Sequence, residues 1–473
     1  MNCMRKLEEI HWGIYLPGFV LLAVLLRVLS FHYSVIDHDE STYMVIAQEL
    51  LKGKILYVDV WDTKPIGIFL LFAGIIKVFG HSIFIIRLFA AVFIGLTAGF
   101  LFLSIKRWGK KHGYALLAAL LYIVSCSVHK WNYTANTEIF FLLFTAIALF
   151  FFSGKKCPKN FFLSGLFVGL GFVIKYFVLF DIAAFWIFYL VFYQKVHKTK
   201  QILLNTFSMG VGFILPFASV FVYYYLGPHF DVFAFASFEL PLNYVNGFNP
   251  GKAISFFLEY HLVYAPFVFL FIVAIIKGND KNIISFGVIW YLLVWIIVLL
   301  PGKFFHHYYF QLVLPMAFIA PEAFNTKTKT EAFINKHKIA IVSIFITAFL
   351  IWNIAFQYTA FIKKHDQQRV VAEYLNVELS KKETIYCNYS SIIYYLTKKS
   401  PPQKYIHNTL MSKQEHIDAI GVNVDHEAKR ILKAEPDVMV IKGNPHPYIA
   451  RFISENYTLQ KIIEEEVSIY NHR

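Results

Sequence analysis

The stretch VIDHDESTYMVIAQEL, residues 35–50, places Asp37, Asp39 and Glu40 within four positions of one another, directly after the first apolar segment. A positioned carboxylate can take a proton from an attacking hydroxyl or amine, an effect of roughly 10²–10⁴ in rate. The same letters also read as a helix start. Asp37 and Glu40 have the spacing of a capping box, and acids suit a helix N-terminus. Asp39 is harder to explain that way, because it falls in the first turn beside a membrane boundary, where an unneeded carboxylate is expensive. The helix that follows carries Tyr43, Ile46 or Ala47, and Leu50 on one face, an amphipathic pattern, and Gly53 ends it. YVDVWDTKP, 57–65, then supplies Lys64.

Other polar residues fall at the same ends of apolar segments. Arg87 lies in SIFIIRLF, Asn136 and Glu138 in NYTANTEIF, Lys175 in GLGFVIKYF, and His306 and His307 in GKFFHHYYFQLVLP. Each has an ordinary role when taken singly. Basic side chains snorkel, His and Tyr populate the interfacial belt, and Glu138 suits a helix N-terminus. Together they gather carboxylate, ammonium, guanidinium and imidazole on one membrane face. That set fits group transfer from a phosphate-linked donor. The departing phosphate needs cations or strong donors, and the attacking group needs a base. A lipid tail on the donor would lie among the spans.

The elements that must position these residues follow from composition. Of 473 residues, 58% are hydrophobic and only 16% charged, with 51 Phe and 29 Tyr and a mean hydropathy of +0.54. The apolar runs are long enough to cross a bilayer, at about 20 residues each, so the fold class is a polytopic α-helical membrane protein. Spans are expected at 13–31, 83–105, 114–128, 138–153, 160–175, 177–193, 202–226, 254–276, 283–300, 304–323 and 339–361. These make about eleven. Taking 1–12, 106–113, 154–159, 194–201, 277–282 and 324–338 as cytoplasmic puts 18 Lys and Arg inside against 6 in the opposite loops. That bias sets the orientation, with the N-terminus cytoplasmic. It also requires that the apolar segment 65–80 does not cross. Residues 65–80 therefore read as an interfacial or re-entrant helix with Pro65 in its first turn. The net charge of +14 is explained by the same rule, and no nucleic-acid module accompanies it. Cys3, Cys126, Cys157 and Cys387 are scattered and indicate neither a disulfide framework nor a zinc site. The N-terminal apolar segment has no cleavage-site pattern and reads as a retained helix.

After about residue 362 the chain turns polar. QQRVVAEYLNVELS reads as an amphipathic helix, ETIYCNYS and DVMVIKG as strands, and EHIDAIGVNVDHEAKRILKA as mostly helix. The expected organisation is a membrane domain over 1–362, with a first outer loop at 32–82, and a soluble extracytoplasmic α/β domain over 363–473.

The ordered pattern Asp39-Glu40-x-x-Tyr43, Ala47-x-x-Leu50-x-x-Gly53, Lys64-Pro65, Phe79-Gly80 and Ile86-Arg87-Leu88 resembles the N-terminal signature of the GT-C glycosyltransferases. It is similar to bacterial relatives of dolichyl-phosphate-mannose–protein mannosyltransferases and of lipid A 4-amino-4-deoxy-L-arabinose transferases. NTE at 136–138, the Lys175 hairpin, HHYYFQLVLP and IYYLTKKSPPQKY at 393–405 extend the likeness more weakly. Lys64-Pro65-Ile66 departs from the usual K-P-P. The resemblance implies an inverting transferase in the bacterial inner membrane. It would move one sugar from a polyprenyl-phosphate donor to a hydroxyl or amine on a protein, glycolipid or glycan at the outer face. By that resemblance Asp39 is the catalytic carboxylate with Glu40 beside it, and Lys64 faces the donor phosphate or the acceptor. Arg87, Lys175 and His307, or His306 in its place, make phosphate or sugar contacts, and Tyr43 and Glu138 support them. No cofactor is demanded, although Asp39 and Glu40 could hold a divalent metal ion.

Three other readings use the same residues differently. A transporter or flippase of a lipid-linked or anionic substrate would carry charges deep within broken helices at mid-membrane. A polysaccharide polymerase or ligase would have one large central outer loop. A non-catalytic scaffold would not need Asp39 and Lys64.

Overall fold

The structure is a computed structural model that describes residues 12–194, 196–243, 248–324, 346–379 and 384–473. The cytoplasmic-loop readings for 1–12 and 324–338 lie almost wholly outside the described residues, as does the start of the 339–361 span. The chain forms two compact units. One comprises Met1–Phe31, Arg87–Tyr223 and Asn246–Lys363; the other His32–Ile86, Tyr224–Val245 and Lys364–Arg473. The second unit thus groups the first loop and 224–245 with the C-terminal segment.

The first unit holds most of the apolar helices. Among the described residues, Ile83–Arg107, Tyr176–Tyr193, Thr199–Tyr225 and Lys281–Leu299 are long and apolar enough to cross a membrane. The single span expected at 254–276 is instead two helices, Pro250–Val263 and Ala265–Lys277, bent by 90°. The break falls at Tyr264, and Pro266 in the second helix's first turn explains it. A proline there lacks the N–H that would continue the ladder and its ring crowds the preceding turn. Pro158–Phe172 and Thr199–Tyr225 approach closely through glycines: a Cβ at Gly165 would lie 2.0 Å from the Met209 carbonyl oxygen, and one at Gly212 would lie 2.2 Å from that of Phe162. Small residues permit such backbone contact between membrane helices. Asp181, fully buried, accepts from Trp290 Nε1 at 2.5 Å and Gln311 Nε2 at 2.8 Å. One carboxylate thus ties Leu179–Tyr193 to Lys281–Leu299 and Tyr309–Ile319.

The second unit carries the first loop. Helix His38–Leu51 starts at Asp37, whose carboxylate accepts from the Asp39 N–H at 3.3 Å, and it stops at Gly53, with φ of +88°. It is not amphipathic as expected, because Glu40 through Glu49 are all buried. It packs against both Ile66–Phe79 and Ile392–Thr397, so its polar face meets protein instead of water. Glu49 accepts from Lys52 at 2.8 Å and from Ser400 at 2.9 Å, and Gln48 donates to the Lys399 carbonyl at 2.9 Å. Ile66–Phe79 is a 14-residue helix with Pro65 as its N-cap, one position earlier than expected. At 1.5 Å per residue it is about 21 Å long, short of the ~30 Å hydrocarbon core.

The C-terminal segment adds a four-stranded sheet of order β1-β2-β4-β3, with β1 Ile385–Cys387, β2 Val438–Lys442, β3 Tyr457–Ile463 and β4 Val467–His472. β1 pairs parallel with β2, and β4 runs antiparallel to β2 and β3. The expected helix and two strands are present as Gln367–Glu378, β1 and β2. The stretch read as mostly helix is two helices, Gln414–Ile420 and Val424–Lys433, parted at Gly421 (φ +70°). Met439, Ile441, Ala428, Ile431, Ile449 and Ile453 form the core between sheet and helices.

Candidate active site

In the second unit the acidic motif meets a lysine and a histidine. A strained turn sets this up. Tyr57 has φ of +69°, its N–H donates to the Val60 carbonyl at 2.7 Å, and its phenol donates to the Lys64 carbonyl at 2.9 Å. A buried non-glycine residue in the left-handed region persists only where its surroundings fix it. Next, the Trp61 N–H donates to the Lys404 carbonyl at 2.8 Å, and Trp61 and Tyr405 form a single parallel bridge. That rung sets 62–64 beside 405–407.

The result is a charge cluster around Asp39, whose side chain is 15% exposed. Lys64 Nζ stands 3.6 Å from Asp39 Oδ2 and 3.9 Å from Asp62 Oδ1. The Tyr43 phenol donates to Asp39 Oδ2 at 3.3 Å, and the Tyr43 ring is held edge-on by Phe69 and Phe72. His407 Nε2 lies 3.2 Å from Asp39 Oδ1. The Lys64 backbone N–H donates to Asp62 Oδ1 at 3.0 Å, which fixes the Asp62 carboxylate against the Lys64 backbone. Burial lifts Asp62 above the usual carboxylate range against the pull of Lys64 and then His407. Burial alone would lower the His407 imidazole, but the hydrogen bond and charge of Asp39 outweigh it and hold His407 above its ordinary value.

Burial, and then the charge of Asp39, pushes Asp37 up to about 7. The sign is that of a group harder to ionise when folded. Its charging therefore opposes folding as pH rises from about 4 to about 7, and stability falls over that window. Asp37→Asn keeps an acceptor for the helix cap but cannot charge. Its thermal midpoint is expected to exceed that of wild type at about pH 8 and to converge with it near about pH 4. A difference that stays constant across the window would contradict this.

Glu40 is buried in the same turn. Asp39's oxygens are engaged by His407, Lys64 and Tyr43.

A second cluster lies in the first unit. Asn136 caps helix Thr137–Phe152, accepting from the Thr137 N–H at 3.2 Å, and so places Glu138 in its first turn. Lys175, at the turn before Tyr176–Val178, pairs with Glu138, and its Nζ also sits 4.2 Å from the Tyr308 ring centroid and 4.5 Å from that of Phe177. His307 Nε2 is 3.9 Å from Glu138 Oε1. His306 turns elsewhere, to Glu259 at 2.9 Å, and stacks on His129. Arg87 is buried and donates to the Ser30 carbonyl at 2.6 Å.

Sequence reading passed over Asp62 and His407. Asp62 stands two residues before Lys64, inside the quoted YVDVWDTKP. His407 stands two residues beyond the family-like IYYLTKKSPPQKY.

Residues 63–224 match the family model of dolichyl-phosphate-mannose-protein mannosyltransferases. An undecaprenyl phosphate-alpha-4-amino-4-deoxy-L-arabinose arabinosyl transferase of Wigglesworthia glossinidia brevipalpis is 25% identical over 224 residues. That match covers 44% of this chain and 40% of the relative's length. The crystal structure of ArnT from Cupriavidus metallidurans bound to undecaprenyl phosphate superposes with a TM-score of 0.68 over 98% of both chains, at 12% identity. The apo form of the same protein gives 0.66 over 97% of this chain and 98% of that one, at 13% identity. The chain shares the fold of that protein, a helical membrane fold of the GT-C type, and its partial matches to these two groups agree with the motif of its first loop.

Proposed function

We propose that the protein moves a single sugar from a polyprenyl-phosphate donor to a hydroxyl or amine acceptor, with inversion at the anomeric carbon, at the outer face of a bacterial inner membrane. In the transfer step the acceptor oxygen or nitrogen bonds to the anomeric carbon, and its proton passes to Asp39. The carbon–oxygen bond to phosphate breaks, and its electron pair leaves on polyprenyl phosphate. Lys64 faces the departing phosphate or steers the acceptor. Arg87, Lys175 and His307 supply further phosphate or sugar contacts. His306, turned to Glu259, is assigned to neither task.

The observation that carries this reading is Asp39 itself, a partly exposed carboxylate held by Lys64 at 3.6 Å and Tyr43 at 3.3 Å at the start of a buried helix. Support also comes from the shared fold with a protein crystallised with undecaprenyl phosphate. A flippase of such a lipid would use the cations but has no need of a base.

The test supplies membranes containing the protein with a panel of radiolabelled polyprenyl-phosphate sugars and a crude acceptor extract. Label is followed into protein, glycolipid and water-soluble fractions. One sugar is expected to move, and the labelled fraction identifies the acceptor class. Label that stays on the lipid with every sugar would count against transfer.

A further inference from the structure

We infer that His407, contributed by the C-terminal segment, is a positioning residue for Asp39, so that this segment completes the reactive carboxylate. The inference rests on the transferase reading above. The geometry fixes the imidazole from both sides. His407 is the N-cap of the short helix Asn408–Leu410, and its Nδ1 accepts from the Thr409 N–H at 3.3 Å. The Thr409 hydroxyl stands 2.8 Å from the same nitrogen, and His416 Nδ1 stands 3.1 Å from that hydroxyl. A ring nitrogen that accepts a backbone N–H carries no proton of its own, so the proton of the neutral ring is on Nε2. Nε2 is the atom 3.2 Å from Asp39 Oδ1. The Trp61–Lys404 hydrogen bond and the Trp61–Tyr405 bridge hold this stretch against the Lys64 loop.

The consequence is an asymmetric carboxylate. Oδ1 is tethered by His407. Oδ2 meets Tyr43 at 3.3 Å and Lys64 at 3.6 Å. Without the tether the carboxylate would rotate about its Cβ–Cγ bond, and a misplacement of about 1 Å can cost on the order of 10²-fold in rate. His407 touches neither donor nor acceptor in this scheme; it acts through Asp39.

Three substitutions in the full-length, reconstituted protein separate this role from packing. His407→Gln puts an amide N–H where Nε2 was. His407→Asn keeps a polar group near Nδ1 but cannot reach Asp39. His407→Ala removes both. Expected are kcat values reduced at least about tenfold for Asn and Ala, within about threefold of wild type for Gln, with KM for the donor nearly unchanged in all three. In an Asp39→Asn background, His407→Ala is expected to add little, because two residues acting as one unit are not additive. Wild-type kcat in His407→Asn, or equal losses in Gln and Asn, would overturn the inference while leaving the transferase reading intact. A wild-type protein that transfers no sugar would remove both together.

Discussion

Asp39→Asn is expected to lower sugar transfer by roughly 10²–10⁴-fold with little change in how much protein folds. The substitution keeps the side chain's size and still accepts from the Tyr43 phenol. It removes the charge that pairs with Lys64 at 3.6 Å, and with it the basicity needed to take the acceptor proton. The loss should appear in kcat, because a base acts on the transition state, and KM for the donor should shift little. Membranes matched for expression, assayed with the donor that wild type uses, measure it. Equal transfer by both would reduce Asp39 to a first-turn charge on its helix.

The second large effect concerns stability. Lys175 and Glu138 form a buried pair, with side chains 6% and 1% exposed. Removing one member leaves the other charged and without its main partner, which typically costs about 3–5 kcal/mol, whereas replacing both can be nearly neutral. Lys175→Met should therefore lower the apparent thermal midpoint in detergent sharply. The double variant Glu138→Gln with Lys175→Met should recover much of the loss. His307, 3.9 Å from Glu138, would soften the single-variant effect without abolishing it. If the double variant is as unstable as Lys175→Met alone, the pair is not the source of the cost. Activity of the refolded double variant then reports separately on the phosphate role proposed for Lys175.

Local signals were legible wherever backbone chemistry alone decides. Asp37 as a cap, Gly53 as a stop, Pro65 at the start of a short helix and Lys175 in a turn all follow from residue type and spacing. Long-range consequences were not. The first-loop helix looked amphipathic because Gln48 and Glu49 are polar, yet both are buried against Lys399 and Ser400, far along the chain. The 90° bend at Tyr264 hides inside one continuous apolar run; only Pro266 hints at it. The hairpin of β3 and β4 turns through Glu464 and Glu465 at φ of +53° and +59°, so the usual Asn-Gly signal is missing. His407 was invisible for a different reason. A lone histidine in a polar segment means nothing until the Trp61–Tyr405 bridge carries it to Asp39.

The most direct test of the central claim uses the purified protein in liposomes with the donor and acceptor class identified in membranes. Free polyprenyl phosphate and glycosylated acceptor are measured together, along with the anomeric configuration of the product. Expected is equimolar release of polyprenyl phosphate and formation of the inverted glycoside, both abolished in Asp39→Asn. Intact donor recovered on the opposite leaflet, with no glycoside formed, would contradict transfer and identify the protein as a carrier of the lipid.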